Sequence, residues 1–141
     1  MLLPLAIGGL VLLLNMLIQV TVVVIMLRLL AGKQASGQLR PGFRNDTAIL
    51  VSVLLLLFAG HLVQIAVWAL LFLVFAEFQD FATAFYHSTV NFATLGYGDI
   101  VMSERWRLLG ALQAASGVLM FGLSTGTLFA VMNQLFQRRR G

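Results

Sequence analysis

Thr94-Leu95-Gly96-Tyr97-Gly98-Asp99 lies between two long apolar stretches. Thr94 offers a hydroxyl and a carbonyl, and Leu95, Gly96 and Tyr97 add three more carbonyls in an extended strand. A run of this kind can substitute for the hydration shell of an ion. Turning successive carbonyls the same way requires right- and left-handed backbone in alternation. Glycine enters the left-handed region without steric penalty, so Gly96 and Gly98 suit that task.

The chain around this hexapeptide is that of a membrane protein. Its 141 residues are 60% hydrophobic and only 10% charged, and its mean hydropathy is +0.97. Soluble domains carry about 25% charged residues. The chain has no cysteine, which excludes disulfides and thiolate metal sites. The formal charge of +4 comes from clusters at segment ends, which suits contact with membrane phosphates better than nucleic-acid binding.

A helix needs about 20 apolar residues to cross the hydrocarbon core. Three segments qualify: residues 1–30, 47–76 and 105–137, the last two being uncharged from Thr47 to Ala76, His61 aside, and from Leu108 to Gln137. The first is expected to be a retained helix and not a signal peptide. No basic residue precedes it, its apolar run is too long, and its basic residues come after it. Within it, Asn15 and Gln19 share a helix face and are expected to hydrogen-bond to neighbouring helices. His61, with Gln64 one turn later, is expected to do the same.

A fourth uncharged stretch carries Thr83, His87, Ser88, Thr89, Asn91 and Thr94. It is too polar to face lipid throughout, and irregular backbone survives at membrane depth only inside protein or around water. Residues 81–92 therefore read as a re-entrant pore helix capped by Asp80, and residues 94–98 as an extended filter. Residues 31–46 read as a basic cytoplasmic linker and residues 138–141 as a basic tail.

Charge sets the orientation. Arg28, Lys33, Arg40, Arg44, Arg138, Arg139 and Arg140 are seven of the nine basic residues, and they fall on one side. The positive-inside rule makes that side cytoplasmic and puts the N-terminus outside. Glu77, Asp80, Asp99 and Glu104 fall on the outer side, where several copies would draw cations to the mouth. Capping roles suit Glu77 and Glu104 equally well.

The hexapeptide resembles the T-V-G-Y-G-D signature of the potassium channel family, with Leu95 in place of valine. The resemblance covers roughly residues 47–136 and leaves out the first helix. It implies an all-α membrane protein of three transmembrane helices plus pore helix and filter, assembled as a homotetramer. It implies potassium bound by Thr94, Leu95, Gly96, Tyr97 and Gly98, with Asp99, Tyr86, His87 and Val90 supporting the filter. Val90 stands where some members carry a glutamate that partners the aspartate, so Asp99 needs another partner, with Tyr86 or His87 nearest by pattern. Gly117 stands where the family has its inner-helix hinge, and Phe129 is a candidate constriction. Val118, Phe121, Thr125 and Phe129 share one face, which the resemblance makes the cavity lining. Gly122 and Gly126 read as a close-packing pair.

The expected function is passive potassium conduction in the plasma membrane, of the prokaryotic inner-membrane kind, with lipid and sister subunits as partners. No cofactor is expected beyond the permeant ion, and no catalytic constellation suggests an enzyme. A non-selective cation channel, an accessory membrane subunit and a potassium transporter are the competing readings. The transporter fits least, because its family carries four such loops per chain and this sequence has one.

Overall fold

The computed structural model describes residues 1–36 and 42–140. Four helices account for most of them: α1 (Leu2–Ala35), α2 (Phe43–Val74), α3 (Phe81–Phe92) and α4 (Arg107–Arg140). Three are long and apolar enough to cross a membrane, over Leu2–Lys33, Phe43–Val74 and Arg107–Gln137. The protein is thus an all-helical, multi-pass membrane protein. Part of the expected linker, residues 37–41 with Arg40, lies outside the described residues, as do the Arg138, Arg139 and Arg140 side chains and Gly141.

Several helix ends differ from the sequence expectation, and α1 runs on to Ala35, into the expected linker. The helix α2 starts at Phe43, because residues 43–46 form its first turn and not a linker. The Asp46 N–H donates to the Gly42 carbonyl at 3.0 Å, and the Thr47 hydroxyl to the Phe43 carbonyl at 2.8 Å. Asp46 in that turn also suits the positive end of the helix dipole. The helix α4 starts at Arg107, after a turn in which the Trp106 and Arg107 N–H groups share the Ser103 carbonyl.

The helices α2 and α4 form the centre of the bundle. Each packs on the other three, while α1 and α3 do not meet among the described residues. Close approach needs small residues. A Cβ at Gly8 would run into Leu112, and one at Gly60 would lie 3.0 Å from Val22. Trp68, Phe72, Phe92, Leu109 and Met120 are fully buried in an apolar cluster that joins α2, α3 and α4 near residues 94–98. A second cluster of Met26, Ile49, Val53, Leu57 and Val131 fills the far end. Between the two lie buried polar side chains from α1, α2 and α4, including Gln19, His61, Gln64 and Ser124.

The connection from α2 to α3 ends one helix tightly. The Ala76 N–H bonds the Leu73 carbonyl at 2.9 Å and the Glu77 N–H the Phe72 carbonyl at 3.0 Å, with Ala76 left-handed at φ 55°. This is a Schellman end, with alanine where glycine is usual. The Glu77 carboxylate then accepts from the Ser103 N–H at 2.7 Å and the Ser103 hydroxyl at 2.6 Å. Glu77 thereby ties the segments before α3 and before α4 together.

Candidate ion-conduction site

The site is set by how α3 begins and ends. Asp80 caps its start, accepting the Thr83 N–H at 2.9 Å and the Thr83 hydroxyl at 2.7 Å. At its end the Thr94 N–H donates to the Asn91 carbonyl and the Leu95 N–H to the Val90 carbonyl, both at 2.9 Å. That pair of bonds is again a Schellman motif, and Thr94 occupies its left-handed position at φ 59°. A β-branched residue there is a genuine outlier, costing on the order of 1–3 kcal/mol. The strain sits at the first residue of the candidate filter.

The left-handed backbone recurs at every second residue. Thr94, Gly96 and Gly98 have φ of 59°, 61° and 73°, while Leu95 and Tyr97 are not among the residues of positive φ. The alternation that carbonyl alignment needs therefore spans the whole of residues 94–98. Its Thr94 member is the one that glycine placement in the sequence does not disclose. The segment is exposed on the protomer, with Leu95 at 53% and Tyr97 at 66%.

The far end of the segment is tied back to α3. The Tyr86 hydroxyl donates to Asp99 Oδ2 at 2.7 Å, and the Ile100 N–H donates to Asp99 Oδ1 at 3.1 Å. The tyrosine's bond holds the Asp99 carboxyl below its ordinary value, and Asp99 in turn pushes the Tyr86 hydroxyl up. His87 plays a different part. Its Nδ1 lies 3.1 Å from the Ile100 carbonyl and its Nε2 lies 2.8 Å from Asn91 Nδ2. The network assigns a neutral ring that donates from Nδ1 to the carbonyl and accepts the amide at Nε2. Phe72 and Phe78 pack against the ring at centroid distances of 5.7 and 4.8 Å. Val90 is buried beside them. Asp99 thus takes Tyr86 as its side-chain partner, and His87 anchors the chain one residue later.

These contacts carry two predictions. Tyr86→Phe removes the only side-chain donor to Asp99 among the described bonds, and current carried by the protein should decay several-fold faster in sustained recordings. Unchanged decay would show that the tether is idle. The second concerns pH. Burial holds the His87 imidazole below its ordinary value of 6.5. Above that value folded and unfolded histidines are both neutral, so nothing depends on pH. As pH falls below it, an exposed histidine takes a proton that His87 resists, and the folded loop loses stability until its own depressed value is passed. Acid on the Asp99 side should therefore speed current decay as pH falls below 6.5. His87→Gln should abolish that acid effect. The Asp99 tether persists through the same window, because its contribution is lost only below the ordinary carboxylate value of 3.8.

The candidate hinge, Gly117, lies against the end of α3. A Cβ there would run into the Phe92 carbonyl oxygen and come within 2.8 Å of its carbon. The position needs glycine for close approach of two backbones, and α4 runs unbroken through it. Gly122 and Gly126, by contrast, have nothing within 4 Å of a built Cβ among the described residues of the protomer. Val118 and Phe129 are exposed at 59% and 63%, and Thr125 is exposed beside them. Phe121 is exposed at 39%, with its ring 4.9 Å from that of His61 and 5.5 Å from that of Phe92.

These features define a multi-pass membrane protein with a short capped helix and an alternating-backbone segment held between two spans. The profile of the ion channel family matches residues 49–134, more than half of the chain. The chain belongs to the ion channel family, with α1 added ahead of the matched region. No curated protein and no solved structure matches it.

Proposed function

We propose that four copies of the chain form a potassium-selective channel. The observation that carries this reading is the alternation of left-handed backbone at Thr94, Gly96 and Gly98 in a member of the ion channel family. One such strand cannot surround an ion, and closed cyclic symmetry is the usual way to complete a ring. The carbonyls of Thr94, Leu95, Gly96 and Tyr97 then replace the hydration shell, with Gly98 closing the outer end. Repulsion between ions in adjacent sites drives exit. The exposed Tyr97 ring and a groove of about 530 Å³ beside Gly96, bounded by Val90, Met102 and Gly110, leave room for the neighbouring subunit.

In this reading the exposed face of Val118, Thr125 and Phe129 lines the pore below the filter, and Phe129 narrows it. The clustered basic residues support an orientation with the Arg138, Arg139 and Arg140 tail in the cytoplasm and the N-terminus outside the plasma membrane. No step is catalytic, and the permeant potassium ion is the ligand. The deciding experiment is flux through purified protein in liposomes. Potassium and rubidium should pass and sodium should be excluded, giving a reversal potential near that of potassium, with block by barium from the Asp99 side. Equal permeability to sodium and potassium would assign the chain as a non-selective cation channel. Absence of flux from reconstituted oligomers would favour an accessory subunit.

A further inference from the structure

The helix α1 lies outside the matched pore region, yet its most buried residues include two amides. Asn15 is 0% and Gln19 1% exposed. Asn15 Nδ2 donates to the Ser116 hydroxyl at 3.2 Å, and Gln19 Nε2 to the Ser124 hydroxyl at 2.9 Å. Gln64 of α2 donates to Gln19 Oε1 at 2.8 Å. Ser124 Oγ lies 3.0 Å from Nε2 of His61, also on α2. Having accepted from Gln19, Ser124 has its own proton to give that nitrogen. Gln64, Gln19, Ser124 and His61 thus form a hydrogen-bonded chain across three helices, between two apolar clusters. Both serines belong to α4 and bracket Gly117 and Phe121.

The network is only half satisfied. Asn15 Oδ1, Gln64 Oε1 and both polar atoms of Gln113 are buried without a partner. Each unmet group disfavours the present arrangement, so the junction is not tuned for stability alone. Gln113 is fully buried on α4, three residues before Ser116 and on the same helix face. It carries the donors that Asn15 Oδ1 and Gln64 Oε1 lack.

We propose that α1 is a built-in regulatory helix, and that this amide–hydroxyl junction is a latch setting the position of α4. In the arrangement seen, Ser116 and Ser124 hold α4 to α1 and α2. In a second arrangement α4 shifts, those bonds open, and the Gln113 amide meets the acceptors now unpartnered. The two positions of α4 correspond to two conductance states of the pore. The latch rests on the channel reading above, but selectivity and gating are read separately.

The test is single-channel recording in bilayers with the full chain. Ser124→Ala and Gln19→Leu weaken the present arrangement. Gln113→Leu relieves it of unmet groups and weakens the second. Open probability should change at least about threefold in each, with Gln113→Leu opposite in sign to the other two. The Ser124→Ala and Gln19→Leu effects should not add, since they break the same bond. Reversal potential and unitary conductance should stay at wild-type values. Open probabilities that stay constant, or shift with the same sign in all three, would overturn the latch. Sodium permeability equal to that of potassium in the wild type would overturn the selectivity reading alone. Amide hydrogen exchange over residues 118–137 supplies a readout that needs no current. Ser124→Ala should speed it and Gln113→Leu slow it, and equal rates in wild type and both variants would overturn the proposal. Ser124→Ala removes a single oxygen, so it serves if Gln19→Leu fails to assemble.

Discussion

Gly117→Ala is expected to abolish conduction and to deplete the assembled protein. The added methyl would meet the Phe92 carbonyl oxygen, which is backbone and has no rotamer to change. Either α4 moves away from α3 or the end of α3 tilts. Overpacking of this kind costs about 1–3 kcal/mol or more per site, and each subunit of the proposed tetramer would carry one such site. The displaced residue is two positions before Thr94, so any accommodation is passed into the proposed filter. Gly122→Ala and Gly126→Ala are the comparison, because their Cβ atoms would meet nothing within 4 Å of the protomer. Alanine is also the better helix former. Size-exclusion chromatography followed by liposome flux decides the matter. Normal oligomer and normal flux in Gly117→Ala would show that the close approach relaxes freely, and would return Gly117 to a hinge role alone.

Gly96→Ala should abolish conduction by a different route and leave assembly intact. Here the built Cβ meets nothing within 4 Å, so sterics between neighbours play no part. The penalty is the backbone itself: φ is 61°, and an L side chain in that region costs roughly 1–2 kcal/mol. Four copies around one axis multiply it to roughly 4–8 kcal/mol for the ring. Thr94 already bears the same penalty one step away, leaving little reserve. The expected result is a stable oligomer without potassium flux. Leu95→Val, at a position of non-positive φ, should conduct. Full flux through Gly96→Ala would mean that the carbonyl alignment does not depend on left-handed backbone at residue 96.

The extent to which the sequence discloses this architecture varies by residue. The short helix is legible because Asp80 caps it and a polar composition sets it apart from the lipid-facing spans. The three spans are legible from uncharged length alone. The first turn of α2 is not, since Phe43-Arg44-Asn45-Asp46 has the composition of a linker and becomes helical through backbone bonds to residues that follow. The pattern narrows the partner of Asp99 to two adjacent residues. Geometry then separates them, sending Tyr86 to the carboxylate and His87 to the Ile100 carbonyl. Left-handed backbone is legible at Gly96 and Gly98 but not at Thr94, where a β-branched residue argues against it. The sequence shows that Gly117, Gly122 and Gly126 are small, but not which one has another backbone against it. Asn15 and Gln19 signal polar contacts between helices, while Ser116 and Ser124 pass for ordinary small residues until their hydroxyls are located.

The two ends of residues 94–98 are fastened by unlike means. At the Thr94 end, two main-chain bonds weld the segment to the helix before it, in a motif with no torsional slack. At the Asp99 end, side-chain bonds do the fastening: the Tyr86 hydroxyl to the Asp99 carboxylate and the His87 ring to the Ile100 carbonyl. Such a strand behaves as a cantilever: stiff at its root, compliant at its tip. Thermal displacement grows along it, so the proposed ion sites near the root should keep their dimensions while those near the tip breathe. Collapse of the strand would begin at the tip and travel inward, one carbonyl ring at a time.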